Sequence, residues 1–360
     1  MKKTIKYDTY IKILYPILFL TAVSCFPRQD VNSDKIHFTT RGLILDVNDL
    51  STVDWPLKAK RAGLTTLATH ITPSQVTEFI ESARGQQFLK ECREHGIAVE
   101  HELHAIHDLL PRDLFYVDST MFRMDTAGRR RADYNLCVHS KAALDTVGRN
   151  AVKYARILRP TTARYYFWID DGMPMCSCSK CRSYSDSEQA LILENELVKV
   201  LRREVDPDAT LAHLAYGNTL EAPLKVKPAV GVFLEYAPFH RTWARSLLDT
   251  AAIGREGGKG ISHAQYLKKL DDNLKVFPVE TAQVLEYWLD VSLFSDWKKP
   301  AAALPWNLKV FTEDIDVYAK RGITKITSFG VYMDADYFKK YPSIKFLNQY
   351  GQGLKEYQLR

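Results

Sequence analysis

The residues of this chain best placed to do chemistry are two neighbouring acids, Asp170 and Asp171, which end the apolar run Tyr165-Tyr-Phe-Trp-Ile. A short run rich in aromatic and β-branched residues reads as a buried strand. Carboxylates at the end of such a strand are costly unless they are paired, hydrogen-bonded or used. Two acids this close split their proton affinities, which provides one acid and one charged partner for proton transfer. Side chains alternate along a strand, so both reach one target only if the strand stops between them, and Gly172 permits that turn. The alternative is that one aspartate caps the following loop and the other alone faces a site. Just downstream, Cys176-x-Cys178-x-x-Cys181 supplies three thiols, and Cys137 is a fourth.

The elements that must position these groups alternate along the chain. Apolar runs at 42–47, 64–70, 97–104, 164–170, 210–216, 231–236, 283–288 and 326–331 read as eight strands. Helical patterns at 57–62, 73–95, 140–158, 187–205, 262–277 and 308–320 lie between them, and Gly96, Pro160 and Gly322 end three of these helices. A long excursion, 105–137, separates the third strand from its helix. Eight such alternations in about 325 residues predict an α/β fold, a single (β/α)8 barrel over 40–360. A doubly wound sheet would carry a glycine-rich phosphate turn after the first strand, and Asp46-Val-Asn-Asp is not one.

Barrel sites form at the carboxyl ends of the strands. Those ends carry Asp46, His70, His104, Asp170 with Asp171, Tyr216, Glu235 with Tyr236, Glu286 with Trp288, and Phe329. Acids and flat rings together suit carbohydrate. Acids act on the glycosidic oxygen, and rings stack on the apolar faces of sugars. Glu235 and Glu286 are candidates for a conventional two-carboxylate mechanism or for holding sugar hydroxyls; an ion pair with a neighbouring base is the plainer account of each. His104 and His107 are sugar-binding or structural. Trp168, Trp243, Trp288 and Tyr236 are candidate sugar platforms, and packing alone also accounts for each. No glycine-flanked serine elbow or HExxH helix appears.

For the cysteines three states stay open: a structural zinc or other metal on Cys137, Cys176, Cys178 and Cys181, disulfides, or free thiols. The tight spacing favours metal, and an oxidising compartment favours disulfides. No cofactor is expected for catalysis. The N-terminus, with Lys2, Lys3 and Lys6 before the apolar stretch Ile13–Val23 and then Ser24-Cys25, resembles a bacterial lipoprotein signal (1–24) in which Cys25 is lipidated. Residues 25–39 read as a tether, so the only membrane contact expected is the lipid anchor, at the bacterial cell envelope. The formal charge of +6 falls to about +3 without the signal. Arg129-Arg130-Arg131 is the one basic run, with no interleaved aromatics, so nucleic acid is not an expected partner.

Phe167-Trp-Ile-Asp170-Asp171 is similar to the retaining hexosaminidases that use substrate assistance, notably the O-GlcNAc hydrolases. That resemblance implies that Asp170 orients the substrate's 2-acetamido group while Asp171 is the general acid/base. More broadly, Tyr134-Asn-Leu-Cys137, the Asp170-Asp171 and cysteine segment, Leu285-Glu-Tyr-Trp-Leu-Asp290 and Gly322–Gly330 resemble a family of lipoproteins from glycan-foraging gut bacteria. It was long known as a domain of unknown function, and some members are endo-β-N-acetylglucosaminidases acting on the chitobiose core of complex N-glycans. The resemblance implies an exported glycoside hydrolase with a glycan or glycoprotein substrate, and adds Asp290 to the binding residues. A glycan-binding lipoprotein without hydrolysis, or a two-carboxylate glycosidase using Glu235 and Glu286, is the alternative.

Overall fold

The computed structural model describes residues 36–254 and 260–359. The expected signal, Cys25 and the first part of the tether lie outside the described residues. Residues 36–39, read in sequence as the end of the tether, already belong to the compact unit that starts at Ile36. Phe38 is fully buried, and the Thr39 amide donates to the Thr324 carbonyl at 2.8 Å.

Eight parallel strands close into a barrel in chain order. They are β1 (Thr40–Asp46), β2 (Thr66–His70), β3 (Ala98–His104), β4 (Arg164–Trp168), β5 (Thr210–Ala215), β6 (Val232–Tyr236), β7 (Gln283–Glu286) and β8 (Lys325–Phe329). β8 returns to β1 with Gly42 opposite Thr327. A Cβ at Gly42 would sit 2.6 Å from the Thr327 side chain, so only glycine lets the strands close there. The helices expected from the sequence are present, including Lys141–Ile157, Asp186–Glu204, His263–Leu274 and Leu308–Ala319. Gly96 and Gly322 end their helices with positive φ.

Alternation along each strand sorts side chains into lumen and outer layer. The lumen is polar rather than filled with branched apolar residues. Arg164 lies 3.7 Å from the Phe233 ring centre and donates to the Tyr166 hydroxyl and Gln283. Tyr166 donates to Glu100 at 3.0 Å, and Gln283 donates to Glu235 at 3.0 Å. These bonds join β3, β4, β6 and β7 across the barrel.

The outer faces pack on the helices, and here three expected site residues are found. Glu286 is wholly buried between Arg241, Trp243 and Tyr318. The Trp288 indole donates to Asp314 at 2.9 Å, and the Tyr236 hydroxyl donates to the Tyr266 carbonyl at 2.7 Å. Arg241 also reaches Asp314 at 2.5 Å, so one guanidinium compensates two buried carboxylates. Burial pushes the Asp314 carboxyl up to about 6 despite that partner. Removing Arg241 strands both acids. Arg241→Ala is expected to lower stability by about 3–5 kcal/mol, measured by urea unfolding; a loss below about 1 kcal/mol would mean the network is dispensable.

Candidate active site

At the carboxyl ends of the strands lies a cavity of about 510 Å³, lined by Asp46, His70, His104, Trp168, Asp171, Tyr216, Phe239, Leu285, Tyr287, Asp290, Trp297, Phe329 and Tyr332, among others. A second depression of about 570 Å³ shares Asp46, His70 and Ile71 with it and runs on between the loops after β1 and β2. A groove of similar size between helices Lys141–Ile157 and Asp186–Glu204 lies on the outer wall, away from every strand end. The strand-end cavity is therefore the candidate site.

The two neighbouring aspartates part company at the end of β4. Asp170 is buried and turned into the β3–β4 excursion. It accepts from Arg112 at 2.8 Å, from the Asn135 amide at 2.6 Å and from the His107 amide at 3.2 Å. Its own amide donates to the Asn135 side chain at 3.0 Å, so the two residues lock reciprocally. Asn135 adopts positive φ, which asparagine tolerates better than most residues. Asp171 is exposed and lines the cavity. Gly172 turns the chain at φ +60°, as its type suggested. The acetamide-orienting role read for Asp170 does not fit this geometry, because its carboxylate is engaged behind the cavity wall.

Tyr216 stands beside Asp171; burial first, and then that neighbouring carboxylate, raise the phenol's pKa, so Tyr216 stays protonated. The other cavity acids already serve as helix N-caps. Asp46 accepts from the Asp49 amide at 2.7 Å, and Asp290 accepts from the Ser292 amide and hydroxyl. Asp171 is the one cavity carboxylate, among the described residues, that caps no helix.

Two histidines stand beside it with fixed tautomers. His70 Nδ1 meets the Glu102 carbonyl at 2.6 Å, and His104 Nδ1 meets the Ile169 carbonyl at 2.7 Å. A carbonyl only accepts, so each Nδ1 carries a proton, and in neutral His70 Nε2 is left as an acceptor. Burial holds His70 down to about 3, so it stays neutral at physiological pH. Both rings lean on Trp168, at centroid distances of 5.9 and 5.1 Å. Tyr287 and Phe329 stack within 4° of parallel, and the Phe329 ring meets His70 edge-on at 4.9 Å. At the rim, Trp297 and Tyr332 both hold positive φ, a conformation bulky residues avoid, and the Tyr332 hydroxyl bonds the Trp297 carbonyl.

Beneath the floor, the Trp168 indole donates to Glu235 at 2.9 Å. Glu235 is fully buried and lies against Glu102, which has no other hydrogen-bond partner. Two buried acids in contact cannot both ionise, so this pair retains a proton.

Of the sequence-predicted site residues, the structure gathers Asp171, His104, Trp168, Tyr216 and Asp290 at the cavity, with Glu235 one layer below. His107 points to solvent and contributes only its backbone amide. Tyr236, Glu286, Trp288 and the candidate platform Trp243 face the helix layer, so Glu235 and Glu286 lie on opposite sides of the sheet and cannot form a catalytic pair. Asp46, His70 and Phe329 were visible as strand ends. Tyr287, Phe239, Trp297 and Tyr332 were missed; only Tyr287 carried a signal, as the inward neighbour of two outward residues. Cys137, Cys176, Cys178 and Cys181 converge beside the cavity rather than in its wall. Arg129 pairs with Asp125, and Arg130 donates to the Phe122 carbonyl. Among the described residues no helix is long and apolar enough to cross a membrane.

The closed eight-stranded barrel is a fold shared with glycoside hydrolases of known structure. One such structure, of the pneumococcal virulence factor StrH with its insights into N-glycan recognition and hydrolysis, is 11% identical, covers 91% of this chain and 88% of that one, and has a TM-score of 0.52. Another, ZgEngAGH5_4 in complex with a cellotriose, is 13% identical, covers 89% and 96%, and has a TM-score of 0.50. At these identities the likeness is one of fold. By sequence the chain belongs to the family described as Domain of unknown function (DUF4838), matched over residues 28–357. A search of curated proteins found no match.

The floor makes a pH prediction. Burial raises Glu235 from its ordinary 4.5 to about 8. Between those values the folded protein holds a proton that the unfolded chain releases, so stability falls as pH rises through the window and levels off above it. Glu235→Gln removes this dependence. Between about pH 5 and pH 8 its unfolding midpoint should fall less than that of wild type; parallel falls would show that Glu235 is ionised in the folded state.

Proposed function

We propose that this chain is an exported glycoside hydrolase acting on N-acetylglucosamine-containing glycans with anomeric retention, Asp171 serving as general acid and then general base. The observation that carries this reading is that Asp171 is, among the described residues, the one cavity carboxylate not taken up in capping a helix. A conventional glycosidase needs two acids, one of them a nucleophile or a base for water. With one acid available, the substrate's own 2-acetamido oxygen is the remaining nucleophile. Asp171 protonates the leaving oxygen as the acetamide oxygen closes on the anomeric carbon, and then takes a proton from the water that opens the ring. The protonated Tyr216 hydroxyl beside Asp171 serves to orient it when substrate is bound. The Nε2 acceptor of His70 and the Nε2 of His104 suit sugar hydroxyls, which both donate and accept, and Tyr287, Phe239 and Trp297 offer ring faces. The acetamide-orienting donor falls to a cavity group other than Asp170, whose part is to hold the β4 exit.

The second depression beyond Asp46 and His70 leaves room for further sugars, which favours action within a chain and suits the N-glycan core. The barrel shared with a protein studied for N-glycan hydrolysis agrees with this choice of substrate class. The N-terminal pattern suits anchoring of the domain by a lipidated Cys25 at the cell envelope.

Asp171→Asn should lower kcat/KM on chitobiose-type aryl glycosides roughly a hundred- to ten-thousand-fold, with the unfolding midpoint unchanged and a thiazoline analogue of the cyclised intermediate still bound by wild type. Full activity in the variant, or glycan binding by wild type without any product, would overturn the assignment.

Trp297→Gly should weaken glycan affinity by roughly tenfold through loss of one stacking face. The same change relieves a positive φ, so stability should hold or rise by about 1 kcal/mol. Calorimetry and urea unfolding separate the two effects, and unchanged affinity would remove Trp297 from the site.

A further inference from the structure

We propose that Cys137, Cys176, Cys178 and Cys181 bind one zinc ion as a closed tetrahedral tetrathiolate, which fastens the β3–β4 excursion to the loop leaving β4. All four thiols are buried, and all four Sγ atoms lie within 4.8 Å of one another. Cys137 Sγ is 3.8 Å from Cys178 Sγ and 3.8 Å from Cys181 Sγ. Zinc–sulfur bonds of about 2.3 Å set the corners of a tetrahedron about 3.8 Å apart. A disulfide would draw two of these atoms to about 2.0 Å and leave the others unpaired with them. Four sulfurs spaced about one centre are the arrangement that a mononuclear site requires.

The surroundings suit thiolates. The Met124 amide donates to Cys176 Sγ at 3.3 Å, and His139 Nδ1 lies 3.3 Å from Cys181 Sγ. Arg130 lies beside Cys137, Cys176 and Cys178 and places a positive charge next to a centre whose net charge would be −2. Hydrogen-bond donors and cations around bound sulfur orient the ligands and spread their charge. Gln189, wholly inside the protein, accepts from the Cys176 amide and donates to the Cys176 carbonyl, both at 3.1 Å, which fixes the ligand loop from behind. Loading replaces four S–H bonds by four zinc–sulfur bonds and releases four protons to solvent.

With four protein ligands no coordination position remains for water or substrate, so the ion is structural. Its position gives it an indirect part in the site. Cys137 follows Asn135, whose amide holds Asp170, and Cys176 follows the Gly172 turn that presents Asp171. The ion would therefore hold in place the two segments whose contact separates the paired acids.

The full chain, purified under reducing conditions, should carry one equivalent of zinc by elemental analysis. Chelation should lower its thermal midpoint, and zinc sulfate should restore it. Cobalt(II) chloride added to the stripped protein should give the thiolate-to-cobalt charge-transfer band and the visible bands of a tetrahedral site. Cys181→Ser should lose the ion, and Cys92→Ser, a buried helix position outside the cluster, should keep it. If Cys181→Ser does not accumulate, the cobalt spectrum of wild type decides. Four freely titrating thiols without a cobalt band, or a mass lower by four hydrogens from two disulfides, would overturn the proposal. None of these readouts depends on glycan turnover.

Discussion

The candidate site depends on one constraint, the capture of the Asp170 carboxylate by Arg112 and the amides of Asn135 and His107. Adjacent residues on a strand point to opposite sides, so two neighbouring acids cannot share a direction while the strand continues. Tying the first into the β3–β4 excursion fixes where β4 ends, and the left-handed turn at Gly172 then leaves the second over the cavity. A buried carboxylate with a guanidinium and two amide donors is well compensated, and removing any one of these donors would reopen the question of which acid faces outward.

The layer below follows a related logic. Most barrels fill their centre with branched apolar side chains. Here Arg164, Tyr166, Glu100, Glu235 and Gln283 form a hydrogen-bonded stack, with Glu102 against Glu235, that ends upward in the Trp168 indole. Trp168 in turn supports His70 and His104. The retained proton of the Glu102–Glu235 pair is thus part of the floor on which the cavity rings rest. The chemistry assigned to Asp171 is placed above a rigid polar column.

The barrel was legible in the sequence because each strand is a short apolar run followed by a helix with clear end signals, such as Gly96 and Gly322. The strand ends then located Asp46, His70, His104, Asp171 and Tyr216 at one mouth. The phase of individual strands was less legible. β6 and β7 are buried on both faces, so they lack the polar alternation that marks an inward side. Glu235 and Glu286 look equivalent in sequence, yet one enters the lumen and the other meets Arg241 in the helix layer. Arg112 lies 58 residues from its partner Asp170, and nothing local marks the pair. Trp297 and Tyr332 reach the cavity from loops with positive φ, a conformation their residue types do not announce.

The configuration of the first product tests the central claim most directly. Proton NMR of a chitobiose-containing glycan during the first turnovers resolves the anomers of the newly released reducing end before they equilibrate. A single cavity acid working with the substrate's acetamide requires the β-anomer to appear first. The α-anomer appearing first would demand a second protein carboxylate acting on water from the opposite face, and would contradict the account.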